Sequence, residues 1–488
     1  MQNPPRCMST QHPDNVNTPF FSEGEVLAGE NEIKEAYYVF SHLGIPEQMW
    51  DYEGKEVDNH VVEKLLARYP KFFAQNNIGK DVRLTLRVPN PAVQKGQGKL
   101  LLETLESIPR NFDIAQMCGQ QGAPIWEVIL PMTTSAQELV RISEYYGKIV
   151  VGKAEMRVGS ASVQEWIGKF APEKISIIPL VENKEALLNA HNIAGEYAAS
   201  QKLEGMRVFL ARSDPALNYG AASAVLLVKI ALMQMQEMGE KNSLEVYPII
   251  GVGSAPFRGN LKPTNVGNCM GEYPSVQTFT LQSSFKYDYD EKNVRDSVEG
   301  LNASKRGKAL FVDKEKALGI VDKLTGAYQQ DVAALSPIIG MLSKYAPQRR
   351  ARKLHIGLFG YSRSLQGISL PRAIPFCAAL YSIGVPPELL GLGALDGKGV
   401  EQLREVYVKI DEDIKDSAQY LNMRNVEKLP AAVRERIGRA LDIFGIKEGA
   451  DLEYSQVSTE IWETLHSENK APLYELIAKA AWKRNFLG

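Results

Sequence analysis

Seven residues in this sequence have the types and settings to do chemistry together: Glu182 and Asp214, Arg87, Arg258, Arg363 and Arg372, and His12. Carboxylate oxygens suit Mg2+ or Mn2+, which keep waters and substrate oxygens in their shells. The planar fork of arginine suits a phosphate or carboxylate. Two acids and several arginines on one rim point to a divalent metal and a phosphorylated or carboxylated substrate.

Each residue also has a plainer reading. Asp214-Pro215 makes an ordinary helix start, with Asp as N-cap and Pro at the first helical position. Glu182 could cap or solvate its loop. Arg87 and Arg363 could sit on the surface or in structural ion pairs, and Arg258 in GVGSAPFRGN could decorate a turn. The glycines of that loop equally permit close backbone approach to an anion. His12 taken alone reads as a loop histidine. Arg372 says more, because it follows Pro371 at an expected helix N-terminus, where the helix dipole disfavours a cation unless an anion accompanies it.

The elements that must position these residues repeat one grammar: a short apolar run, a polar loop, then a helix-periodic stretch. Residues 124–131 (PIWEVILP), 174–181 (KISIIPLV), 206–210, 245–250 and 354–359 read as strands followed by loops and helices, and 82–86 as a strand ending at Arg87. Ser135 and Glu138 fit a capping box. Apolar runs alternating with helices are what a parallel sheet needs, since both its faces are buried. An open doubly wound sheet satisfies the same pattern, but the number of units and the length favour a (β/α)8 TIM-type barrel with additional helices, mainly C-terminal. In such a barrel the reacting groups sit just after the strands, where Arg87, Glu182, Asp214, Arg258 and Arg363 fall. The expected organisation is a single domain over 1–488, with a barrel core at about 8–400, helical additions at 300–346, and C-terminal helices at 401–488 packed on it. The loops around 251–259 and 360–367 are expected to close over the site, and His12 is placed before the first clear strand.

Composition narrows the field further. Fifty-six Lys+Arg against 58 Asp+Glu leave a net charge of −2, which excludes a dedicated nucleic-acid or membrane-surface binder. The basic run 348–353 (QRRARK) is read as a solvated face or subunit contact. The apolar stretch 221–233 is short and interrupted by Lys229, so no membrane span is expected. Cys7, Cys118, Cys269 and Cys377 show no zinc-ligand spacing and read as reduced thiols of a cytoplasmic protein.

The words around the candidate residues carry a family resemblance. Residues 8–15 (MSTQHPDN), 49–61 (MWDYEGKEVDNHV), 86–91 (LRVPNP), 128–134 (VILPMTT) and 178–182 (IPLVE) resemble archaeal-type phosphoenolpyruvate carboxylase. So do 212–218 (RSDPALN), 257–263 (FRGNLKP), 279–287 (FTLQSSFKY) and 360–375 (GYSRSLQGISLPRAIP). The resemblance implies a barrel enzyme, typically a homotetramer using Mg2+ or Mn2+, that forms oxaloacetate and phosphate from phosphoenolpyruvate and bicarbonate. Longer bacterial and plant relatives share some of these words. By that match His12 in TQHPD corresponds to the catalytic histidine of TAHPTE, Glu182 to the metal-binding Glu of PLFE, and Asp214 to the metal-binding Asp of YSDS. Arg372 corresponds to the phosphate-binding Arg of LRAIP, Arg87 to a substrate arginine after an early strand, and Arg363 to a further active-site arginine. Two departures from the longer enzymes stand out: Leu217 stands where they carry a lysine three residues after the metal-binding Asp, and GVGSAPFRGN replaces their HGRGG, so that Arg258 stands for either of two arginines there. The rival readings are another barrel acting on phosphoenolpyruvate or pyruvate (a mutase, lyase or kinase), and a catalytically dead metabolite sensor. The terminal Arg484-Asn485 faintly resembles the inhibitor-binding tail of the longer enzymes, but is read as a frayed end.

Overall fold

The computed structural model describes residues 3–55, 57–351, 359–365, 368–447 and 449–488. Its centre is a closed barrel of eight parallel strands: β1 (Cys7–Ser9), β2 (Glu47–Asp51), β3 (Arg83–Arg87) and β4 (Glu127–Leu130), then β7 (Ser176–Val181), β8 (Gly205–Ala211), β9 (Glu245–Gly251) and β10 (Thr278–Leu281). Between β4 and β7 lies a two-residue antiparallel pair, β5 (Arg157–Val158) and β6 (Ala161–Ser162). The barrel closes in the order β1-β10-β9-β8-β7-β4-β3-β2.

Side chains alternate across each strand. One face feeds the large core between strands and helices, as Trp50, Leu84, Val128, Ile177 and Val208 do. The other faces the barrel interior, where Met8, Met49, Ile129, Ile178, Leu180, Phe209, Ala211 and Ile249 form a separate apolar cluster. Below that cluster, towards the strand amino ends, lies a charged layer. Arg207 forks onto Glu47 (2.7 and 2.8 Å), reaches Glu127 at 3.0 Å, and donates to Thr278 Oγ1 at 3.2 Å. Thr85 Oγ1 donates to Glu47 at 2.6 Å.

Several expectations need correction. Residues 354–358 lie outside the described residues, and the barrel closes without a strand from that region. Phe359–Leu365 is β11 instead, pairing antiparallel with β12 (Ile368–Pro371). The barrel is completed by β1, β2 and β10, which are short and mix polar with apolar residues. His12 therefore follows the first barrel strand rather than preceding any. Ser135 is an N-cap, but its hydroxyl donates to Glu138 Oε1 instead of receiving a backbone N–H, so no capping box forms. The helix at Ala221 runs to Asn242, longer than the apolar stretch suggested. It is long and apolar enough to cross a membrane, yet 72% of its most apolar window is buried within the protein.

The basic run is not a solvated face over its described part. Arg349 pairs with Glu25, and Arg350 is fully enclosed between Glu32 (2.8 Å) and Glu35 (2.6 Å). Burial pushes the Glu35 carboxyl up, but Arg350 and Lys286 more than offset this and hold it at about 2. Glu32, where burial prevails, sits at about 7. Arg352 and Lys353 lie outside the described residues. Arg484 is also buried rather than frayed: it donates to Tyr454 Oη at 2.7 Å and stands over the Tyr381 and Phe486 rings. Helices Leu452–His466 and Leu473–Arg484 pack on helix Ala373–Ser382, which begins directly after Arg372.

Candidate active site

Above the apolar layer, at the carboxyl ends of the strands, one cavity is lined by His12, Glu53, Lys55, Arg87, Glu182, Arg212, Asp214, Arg258, Gln282 and Arg372 among others. Strand parity explains why. Counting in twos from the interior cluster, Met49 leads to Asp51, Leu180 to Glu182, and Met8 through Thr10 to His12. Six of the seven residues singled out from the sequence thus meet in one place. The seventh, Arg363, falls on β11, and its side chain lies outside what the structure describes.

Local structure decides several of the plainer readings. Asn183, not Glu182, caps the next helix, its side chain accepting from Ala186 N at 2.8 Å. Asp214 is not an N-cap either: helix Ser213–Tyr219 is capped at Arg212, and Asp214 sits within its first turn. Neither carboxylate is an N-cap, and both line the cavity. Arg372 is the N-cap of helix Ala373–Ser382, as its sequence setting implied.

Arg87 ends β3 and is buried. Its Nε and Nη2 donate to Asp51 (2.7 and 3.0 Å), and Nη2 also reaches Glu53 at 2.6 Å. Lys55 pairs with the same Asp51 carboxylate, and Gln94 donates to Glu53 at 2.6 Å. The ion-pair reading of Arg87 holds, and the guanidinium fixed by these two acids still lines the cavity.

Arg258 lies in the one-turn helix Pro256–Arg258, between Gly253 and Gly259. Its guanidinium donates to Ser213 Oγ (3.1 Å), Asp14 (3.2 Å), the Gly488 carbonyl (2.6 Å) and Gln282. A Cβ on Gly253 would stand 3.0 Å from Arg258 Cζ, and one on Gly259, at φ +118°, 2.4 Å from Val252 Cγ1. Gly253 thus leaves room for the Arg258 guanidinium, and Gly259 for Val252. Segment 251–259 is largely buried and pinned, unlike an exposed flap; residues 366 and 367 of the other expected closing loop lie outside the described residues. Burial disfavours the Arg212 cation, yet Tyr273, Tyr407 and Asp413 hold its pKa above the ordinary value. Its Nη1 donates to Phe257 O at 3.2 Å, tying the Asp214 and Arg258 loops together.

Asp51, Glu53, Lys55, Arg212 and Gln282 went unassigned in the sequence. Asp51, Glu53 and Lys55 follow from β2, whose five residues EQMWD lack an apolar run; recognising that strand would have found them. Among the described residues no three His, Cys, Asp or Glu side chains form a metal cage. Glu182 and Asp214 instead offer two hard oxygen donors in a shared cavity, which fits a cation that keeps much of its shell for water and substrate.

A closed parallel barrel that gathers acids, arginines and a histidine at the carboxyl ends of its strands has the plan of a (β/α)8-barrel enzyme. A family model described as phosphoenolpyruvate carboxylase matches residues 4–488. The chain is 50% identical to a phosphoenolpyruvate carboxylase of Methanothermobacter thermautotrophicus over 486 residues, covering 99% of each chain. It is 53% identical to that of Pyrococcus abyssi over 436 residues (89% of this chain, 92% of the relative), and 46% identical to that of Halobacterium salinarum over 491 residues (99% of each). Among solved structures, a citrate lyase from Burkholderia xenovorans aligns at TM-score 0.36 and 13% identity, covering 71% of this chain and 85% of that one. This chain belongs to the phosphoenolpyruvate carboxylase family, a family of carboxy-lyases.

Proposed function

We propose that this protein carboxylates phosphoenolpyruvate with bicarbonate, giving oxaloacetate and inorganic phosphate, and that the barrel-top cavity is where it does so. The observation that carries this reading is the meeting of His12, Glu182, Asp214, Arg87, Arg258 and Arg372 around one cavity. Five cationic side chains line it (Lys55, Arg87, Arg212, Arg258, Arg372) against three carboxylates (Glu53, Glu182, Asp214). A compact trianion and a second anion must be brought together, and concentrated, pre-positioned positive charge does this at low reorganisation cost.

Glu182 and Asp214 would hold Mg2+ or Mn2+ through their oxygens, and such an ion supplies Lewis acidity to substrate oxygens. Arg372, Arg258 and Arg87 orient the phosphate and carboxylate through forked hydrogen bonds. A bicarbonate oxygen attacks phosphorus as the bond to the enol oxygen breaks, leaving carboxyphosphate and the pyruvate enolate. His12 takes the carboxyphosphate proton, carbon dioxide and phosphate separate, and the enolate carbon attacks the carbon dioxide. The pinned loops keep water from protonating the enolate to pyruvate. The same reading treats 1–488 as one catalytic domain, working as a homotetramer in the cytoplasm.

The test is oxaloacetate formation from phosphoenolpyruvate, with bicarbonate and Mg2+ each supplied or withheld. Oxaloacetate that requires both supports the assignment. Bicarbonate-independent turnover would favour a mutase, lyase or kinase, and absence of turnover with retained ligand binding would favour a sensor.

A further inference from the structure

The His12 ring is held by a residue that the site readings above leave unassigned. Its Nδ1 lies 2.9 Å from Thr10 Oγ1. Thr10 is fully buried and has little freedom. Its N–H donates to Leu281 O at 3.0 Å, and its carbonyl accepts from Lys286 Nζ at 3.2 Å. That ammonium also donates to Ser9 Oγ (2.9 Å) and pairs with Glu35 (3.1 Å). The His12 carbonyl in turn accepts from Asp14 N and Ser283 N at 3.1 and 3.2 Å. Backbone and Nδ1 are therefore anchored together, on a ring that lines the cavity.

We propose that Thr10 is the positioning residue for His12, its hydroxyl accepting from Nδ1–H so that Nε2 is the nitrogen that takes a proton from substrate. This rests on the carboxylase reading and adds to it which nitrogen acts and what fixes it. A hydroxyl can donate or accept, but only one choice serves both protonation states of the ring. If Thr10 donated to Nδ1, the neutral ring would carry its hydrogen on Nε2 and could not act there as a base. If Thr10 accepts, Nε2 keeps its lone pair before the transfer. After it, the imidazolium still donates from Nδ1 to the same oxygen, without rotation of the hydroxyl. In the transfer the carboxyphosphate O–H bond breaks, its proton joins the Nε2 lone pair, and Nδ1–H is unchanged. A neutral hydroxyl fixes the tautomer without adding a negative charge beside an anionic substrate.

The experiment compares wild type, Thr10→Val, Thr10→Ser and both changes in a His12→Asn background, with oxaloacetate and pyruvate measured on the same samples. Thr10→Val should lower kcat by roughly 10- to 100-fold, less than the roughly 10²- to 10⁴-fold attributable to a whole general base. The KM for phosphoenolpyruvate should stay within about twofold, because the lost contact acts on a proton transfer and not on substrate binding. Products should shift towards pyruvate, Thr10→Ser should recover most of the rate, and Thr10→Val should add no further loss to His12→Asn. If Thr10→Val melts early, Thr10→Ala against Thr10→Ser carries the same expectations. Wild-type partition in Thr10→Val, equal impairment in Thr10→Ser, or a full additive loss on His12→Asn would each overturn the proposal. A wild type that forms no bicarbonate-dependent oxaloacetate would instead remove the reading on which it rests, and the proposal with it.

Discussion

The barrel carries two charged layers, one on each side of an apolar floor, and the same strands supply both. Along β2, Glu47 lies in the lower layer, Met49 in the floor and Asp51 in the upper layer; along β8, Arg207 and Phe209 fill the lower layer and the floor. In the lower layer every charge is answered from within the barrel: Arg207 and Glu47 have fully buried side chains and grip each other through two parallel hydrogen bonds. In the upper layer the acids and arginines surround space. Residue type alone does not separate a structural cluster from a functional one. What separates them is position along the strands: the charges near the amino ends meet one another inside the barrel, while several of those at or beyond the carboxyl ends line the cavity that holds His12, Glu182 and Asp214.

The comparison predicts opposite phenotypes, and the largest effect belongs to the upper layer. Glu182→Ala or Asp214→Ala should reduce turnover by roughly 10³-fold or more and weaken Mn2+ binding, while thermal unfolding stays close to wild type. Near-normal turnover in Asp214→Ala at saturating substrate would break the comparison. In the lower layer, Arg207→Met should destabilise by about 3–5 kcal/mol, since it leaves buried carboxylates without their partner, yet the folded fraction should keep its turnover. Its pH dependence follows from the Glu47 shift. Burial raises that carboxyl, but Arg207 overcomes the effect and holds it below its usual 4.5. Its stabilising contribution is therefore complete above pH about 4.5 and fades as the pH falls below that value. The stability gap between wild type and Arg207→Met, read by chemical denaturation, should narrow as the solution is acidified; a gap independent of pH would contradict the assignment. The smallest effect is geometric. Arg372→Lys keeps the charge but loses the fork, and should cost about 2–4 kcal/mol of transition-state stabilisation, or roughly 10²–10³ in rate. A change confined to melting temperature would make Arg372 structural.

The same contrast explains what the sequence could reveal. Strands β3, β4, β7, β8 and β9 were legible because both their faces are buried or they end at a marked loop. Strands β1, β2 and β10 were hidden because Ser9, Glu47, Gln48, Thr278 and Thr280 interrupt any apolar run in them. Without β2, Asp51, Glu53 and Lys55 have no position, although residues 49–61 (MWDYEGKEVDNHV) carry part of the family likeness. The six cavity residues that were found follow strands or sit in recognisable words. Arg349 and Arg350 were misread because their partners, Glu25, Glu32 and Glu35, lie more than 300 positions away, and a local run of like charge shows nothing of such partners. The lower layer was invisible for the same reason: Arg207 and Glu47 are joined only by closure of the barrel.

The central claim is that the upper layer performs proton and phosphoryl chemistry, with His12 acting after phosphoryl transfer. The most direct test is the ratio of oxaloacetate to pyruvate formed by His12→Asn, read with malate and lactate dehydrogenase couples on one sample. Carboxyphosphate should still form but break down poorly, leaving the enolate to be protonated. The variant should lose oxaloacetate while slowly releasing pyruvate and phosphate in a bicarbonate-dependent reaction, with unfolding unchanged. An unaltered partition towards oxaloacetate, at whatever overall rate, would contradict it.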